Sequence, residues 1–81
     1  MAWHAGRGGR NGGVDFDRSR AFATMEEAGV YALDHLGAGT PARQLYVAEG
    51  ENSGGTTWRF SNIHTVTRIR DHIFYSEAGW P

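Results

Sequence analysis

The sequence predicts an α+β domain in which one helix packs on a small antiparallel sheet of three to five strands, in the order β-α-β-β-β. Two observations carry this expectation. Residues 24–37, TMEEAGVYALDHLG, hold one uninterrupted helical period between a start signal and a stop signal. The segments on either side alternate apolar and polar residues with the period of strands, and consecutive strands of this length join most simply as an antiparallel meander.

The chain has 81 residues, enough for one domain that buries about 60–65% of its unfolded surface. A core of that size leaves little room for a deep, enclosed active site. Three Trp, three Tyr and four Phe supply enough apolar surface for a folded body. There is no Cys, which excludes a disulfide framework and a thiolate zinc site. No apolar run approaches the length of a membrane span, and no secretory signal opens the chain, so a cytoplasmic protein without membrane partners is expected. The formal net charge is −1 and all eight basic residues are Arg. That balance differs from the strongly basic charge of most nucleic-acid-binding domains.

Residues 1–13, MAWHAGRGGRNGG, read as a Gly/Arg-rich arm ahead of a single domain at 14–81. The Gly6-Arg7-Gly8-Gly9 run resembles the Arg-Gly boxes of RNA-binding tails, although a plain Gly-rich lead-in has the same composition. Trp3 argues for docking of this arm, because an indole is costly to leave in water. Val14-Asp15-Phe16-Asp17 and Arg20-Ala21-Phe22-Ala23 are extended candidates, one of them the first strand, with Asp15 and Asp17 as solvent-facing edge charges.

The helix follows from its ends and its faces. Thr24 and Glu27 form a capping box, and Gly37 is the stop, expected in a left-handed turn. Met25, Ala28, Gly29, Ala32, Leu33 and Leu36 fall on one side, the core side. Glu27, Val30, Tyr31 and Asp34 fall on or near the other, an acidic face with an uncovered aromatic.

Ala38-Gly39-Thr40-Pro41 reads as a loop, and Gln44 to Glu49 as a strand with Leu45 and Val47 on one side. Residues 50–55 carry turn residues and predict a long hairpin loop. Trp58 and Phe60 alternate with Thr57 and Arg59 and are expected to face the helix. Residues 63–69 and 72–76 read as two strands joined by a tight turn, and Trp80 is expected to cover an edge of the core.

No catalytic or cofactor motif is present, so neither an enzyme nor a bound cofactor is expected. His64 and His72, brought together across a hairpin beside Arg59, Arg68 or Arg70, would be the minimum for acid–base cleavage of RNA. Ordinary surface histidines explain the same pattern. Arg59, Arg68 and Arg70 are expected on the open face of the sheet, opposite the helix, where with Arg7 and Arg10 of the arm they would bind nucleic acid. A solvated face partly neutralised by Asp71 and Glu49 is the plainer reading.

The acidic residues carry the competing idea. Seven of the nine carboxylates lie in the first 51 residues, at Asp15, Asp17, Glu26, Glu27, Asp34, Glu49 and Glu51. An acidic surface with an aromatic anchor can dock on the basic, nucleic-acid-binding groove of a partner protein and occupy it. Carboxylates in a first helical turn are favoured by the helix dipole in any case, which accounts for Glu26 and Glu27 but not for Asp34 or Tyr31. The partner-binding residues expected on this reading are Glu27, Tyr31, Asp34 and Glu51.

A cysteine-free chain of this size, with a short strand, a helix opening on Phe22-Ala23-Thr24-Met25-Glu26-Glu27 and a small antiparallel sheet, resembles several small anti-CRISPR proteins of phages and mobile elements. The resemblance covers the architecture of residues 14–75, and those proteins share no active-site motif from which a residue is carried over. It implies a non-enzymatic inhibitor, in the host cytoplasm, that binds a CRISPR surveillance complex and blocks entry of target DNA. A small nucleic-acid-binding accessory protein is the alternative. An exposed sheet face and an unblocked edge also leave room for a homodimer.

Overall fold

The computed structural model describes residues 2–8, 13–37 and 44–78. These residues form five strands and one helical segment, in the α+β class the sequence predicts. The strands are β1 (Ala2–Gly8), β2 (Val14–Phe16), β3 (Leu45–Gly54), β4 (Thr57–Ile69) and β5 (His72–Glu77). The helix α1 (Met25–Tyr31) lies between β2 and β3 and continues as a π-helical turn over Ala32–Leu36. All pairings are antiparallel and the sheet order is β2-β1-β3-β4-β5.

The expected first strand is β2, but a strand precedes it. Residues 2–8, read from composition as part of an arm, form β1 and lie inside the sheet between β2 and β3. Composition misled because these glycines belong to a paired strand: Gly6 lies under the Phe16 ring, where a Cβ would stand 2.7 Å from it, and Gly8 donates its N–H to the Gln44 carbonyl at 2.8 Å. Arg10, the 38–41 loop and Trp80 lie outside the described residues.

The helix starts at Thr24 as predicted, with the Thr half of the capping box formed and the Glu27 carboxylate bonded to the Thr24 hydroxyl rather than to a backbone N–H. Thr24 Oγ1 accepts the Glu27 N–H at 3.2 Å and donates its hydroxyl to the Glu27 carboxylate at 3.3 Å. It ends differently, since Gly37 keeps right-handed angles, φ −81 and ψ −17. Glycine suits this position because a Cβ would stand 3.2 Å from both the Leu33 carbonyl and the Leu45 side chain. Ala28, Gly29 and Ala32 are buried and bring the helix close to the sheet, where they meet Ala5, Leu45, Val47 and Val66. Trp3, Met25, Leu33, Leu36, Ile73 and Tyr75 close the sides of this core.

The 50–55 segment is not a long loop. β3 runs on to Gly54, β4 begins at Thr57, and the turn is confined to Gly55 and Thr56. The two strands expected at 56–60 and 63–69 are one thirteen-residue strand, β4. Their junction is Asn62, at φ 51, where the register shifts between the Glu49–Ser61 and Val47–His64 pairs. That extra residue is a bulge, which bends a strand and increases its twist.

The bend builds a second core on the face away from the helix. His4, 1% exposed, lies 5.3 Å from the Trp58 ring and 5.7 Å from Phe60, and Phe60 stacks on Phe16 at 4.5 Å. His4 Nδ1 is 3.0 Å from the Asp17 carbonyl, so its Nδ1–H donates there and fixes the tautomer. Gly50 has to be glycine: a Cβ would approach the His4 ring to 2.6 Å and Phe60 to 2.8 Å. Trp58 and Phe60 therefore face away from the helix, the reverse of the expectation. The bulge at Asn62 reverses the parity of β4, so Trp58 and Phe60 share the face of His4 while residues beyond the bulge alternate the other way. Val66 takes the place beside the helix instead.

Candidate functional site

The same reversal moves the arginines. Val66 points at the helix, so Arg68, two residues on, is on the helix side and pairs with Asp34 at 3.5 Å. Arg59 stands directly opposite Glu51 in the ladder, and Arg7 opposite Asp15 on one flank and Leu45 on the other. Arg70 occupies the β4–β5 turn with φ 57. The Arg/His patch expected on the open sheet face is therefore not assembled there. Trp58 and Phe60 are on that face instead, beside Arg18 rather than Arg59 or Arg68.

His64 and His72 do not meet. His64 pairs with Glu77 and His72 with Ile69, at opposite ends of the β4–β5 hairpin. The rise of a strand puts about 17 Å between them. A single proton-transfer site cannot use both.

Three of the four acidic-face residues do come together. Glu27, Tyr31 and Asp34 share the outer side of the helix and line an open groove of about 470 Å³ with Phe22, Glu26, Val30 and His35. Glu51 is not among them; it is exposed on β3, beside Arg59. Turn-by-turn spacing explains the grouping, since residues three and four apart on a helix are neighbours.

Tyr31 is the floor of the groove rather than a free-standing anchor, and it is half-buried. Its ring stacks on His35 at 4.8 Å and packs on Phe22 at 5.3 Å, while the Arg20 guanidinium sits 5.3 Å from the ring centre. Its hydroxyl points at the Asp17 carboxylate, 3.5 Å away. Phe22 is placed by a two-way backbone bridge to Trp3, with both N–H···O distances 2.8 Å. Val30, 42% exposed, extends this floor as apolar surface.

Asp15 is exposed on the edge strand as expected, and Asp17, just past the strand, is partly exposed with its carboxylate engaged locally. Its carboxylate accepts the hydroxyl and the N–H of Ser19. Those bonds, the Ser19 hydroxyl above all, hold the carboxyl below its ordinary value of 3.8 against a smaller opposing effect of burial. Glu26 acts on the inner side of the helix as well: burial, with the charge of Glu26 behind it, pushes the Tyr75 hydroxyl above 10.0.

The groove thus joins an apolar floor of Phe22, Tyr31 and Val30 to a rim of Glu26, Glu27 and Asp34, with Asp34 shared with Arg68. Such a surface suits an apolar side chain flanked by cations. Of the lining residues, His35 was legible as the residue four beyond Tyr31. Phe22 was not, because only the Trp3 bridge brings it there. No helix among the described residues is long and apolar enough to cross a membrane. No family model, curated protein or solved structure matches the chain.

Proposed function

We propose that this chain is a non-enzymatic protein-binding inhibitor that docks its acidic helix groove on a basic surface of a partner. The observation that carries the proposal is the groove over Phe22, Val30 and Tyr31, rimmed by Glu26, Glu27 and Asp34. Carboxylates around an exposed apolar strip complement a surface that otherwise holds nucleic acid, and occupying it excludes the natural ligand. In the most concrete form, drawn from the resemblance to anti-CRISPR proteins, the partner is a CRISPR surveillance complex and the excluded ligand is its target DNA.

The test is a mobility-shift titration of target DNA with purified surveillance complexes, with and without the protein. Loss of the shifted band with wild type, and its return with Tyr31→Ala plus Asp34→Arg, is the expected result. Inhibition retained by the double variant removes the groove from the mechanism. No inhibition of any complex by the wild type removes the anti-CRISPR form of the proposal.

The nucleic-acid-binding alternative has less behind it, because Arg59, Arg68 and Arg70 are dispersed and Arg68 is engaged by Asp34. Anisotropy of labelled single-stranded RNA and DNA at low salt tests it. Micromolar binding that weakens steeply with salt would put it first.

A further inference from the structure

The two edges of the sheet are built differently. β2, at one edge, is three residues long, carries Asp15 at its centre and is followed by Asp17 and Arg18. Short length and charge are what keep an edge from pairing with another chain. β5, at the other edge, has six residues in unbroken register with β4, without a bulge or Pro, and its one carboxylate, Glu77, stands at its last position. Among the described residues nothing pairs with its outer side.

Among the described residues, the two most exposed large apolar side chains gather at this same edge. Ile69 is 57% exposed and Phe74 51%, and the β4–β5 register makes them diagonal neighbours on the face away from the helix. His72 adds its ring at 6.3 Å from Phe74. An unprotected edge beside an uncovered apolar spot is a pairing site, and we infer that β5 pairs antiparallel with β5 of a second copy of this chain, joining two sheets into one.

The sequence of β5 selects both the partner and the register. Two antiparallel copies related by a two-fold axis normal to the sheet must set residues of like face opposite one another. With the axis at Phe74, Phe74 meets Phe74 of the second copy, Ile73 meets Tyr75 and His72 meets Ser76. Every pair within 72–76 is then apolar on apolar or polar on polar, and the cost is at the strand end, where Glu77 meets Asp71 of the second copy and keeps the association weak. With the axis at Tyr75, Ile73 meets Glu77 instead. The strand is its own complement in the first register, which a foreign strand has no reason to be. The contact is small for a specific interface, so association in the micromolar range is expected.

Sedimentation velocity over a micromolar to submillimolar series tests the inference. Wild type should move from the 8.9 kDa monomer towards twice that mass. Phe74→Lys sets two like charges opposite each other and should weaken association about tenfold or more, with an unchanged circular dichroism spectrum. Val30→Lys, on the helix, should leave association intact. Because the chain has no cysteine, Phe74→Cys gives a second readout: directly opposed strand residues are close enough to bridge, so it should oxidise to a covalent dimer faster than Ser53→Cys at the far hairpin. A wild type that stays monomeric throughout overturns the inference. So does a dimer that survives Phe74→Lys, a dimer lost with Val30→Lys, or Phe74→Cys cross-linking no faster than the control.

Discussion

Replacing Gly29 by Ala separates what helix propensity predicts from what the tertiary contact dictates. Gly29 is in the middle of α1, where Ala is favoured over Gly by about 1 kcal/mol in an ordinary exposed helix. In this fold the Cβ would stand 2.9 Å from two ring carbons of Tyr75 and closer still to its hydroxyl. Tyr75 packs against the core and lies opposite Val66, so the whole ring has to swing rather than one flexible atom. Overpacking of this kind costs about 1–3 kcal/mol, which outweighs the propensity gain and leaves a net loss of about 1 kcal/mol. With Tyr75→Leu the obstacle is gone, and the same Gly29→Ala change should stabilise by about 1 kcal/mol. The expected coupling in a double-mutant cycle is therefore about 2 kcal/mol with a change of sign. Urea unfolding followed by circular dichroism measures it. Equal effects of Gly29→Ala in both backgrounds would refute the close helix–sheet approach on which the two-core description rests.

Three other outcomes follow from the same geometry. Asn62→Val forces a β-branched residue to φ 51 and should destabilise by about 1–2 kcal/mol more than Asn62→Gly, with a tryptophan emission change as Trp58 leaves His4. His4→Leu keeps the bulk of the second core but leaves the Asp17 carbonyl without its donor at 3.0 Å, a loss of about 1–3 kcal/mol in chemical denaturation. For Asp17 the folded carboxyl is depressed below 3.8, so its contribution is present above that value and disappears as the folded group protonates. Asp17→Asn should accordingly lower the urea midpoint at neutral pH and match wild type in strong acid, and a difference that persists in acid would assign the effect to packing.

Local signals in the sequence were reliable where one residue decides one thing. Thr24 caps the helix start as expected, Ala28, Gly29 and Ala32 form the buried helical stripe, and the turn at Arg70–Asp71 joins the last two strands. Signals that needed a partner strand failed. The alternation of Trp58, Phe60, Val66 and Arg68 was readable, and its grouping into two faces was correct, but alternation does not say which face meets the helix. That choice is made by the pairing with β3, which sets Val66 beside Leu45 and Phe60 beside Gly50, with the Asn62 bulge between them. The β1 strand was illegible for a related reason: its glycines look like flexibility until Phe16 is seen lying across Gly6. The acidic groove was partly legible, since Glu27, Tyr31 and Asp34 follow from helical spacing alone. Glu51 was grouped with them by charge, and charge carries no position.

The two surfaces proposed here lie on different elements, and this gives the substitutions their diagnostic value. The groove is built on α1 and the Phe22 bridge, whereas the dimer edge is β5, on the far side of β4. A β5 pairing about an axis normal to the sheet keeps both helices on the same side, so a dimer would present two acidic grooves in one direction. If the partner surface is continuous, dimerisation raises apparent affinity through effective concentration without any new contact. Phe74→Lys should then weaken inhibition only at concentrations where wild type is dimeric, while Tyr31→Ala with Asp34→Arg should weaken it at every concentration. Equal loss from both variants at all concentrations would show that β5 itself touches the partner.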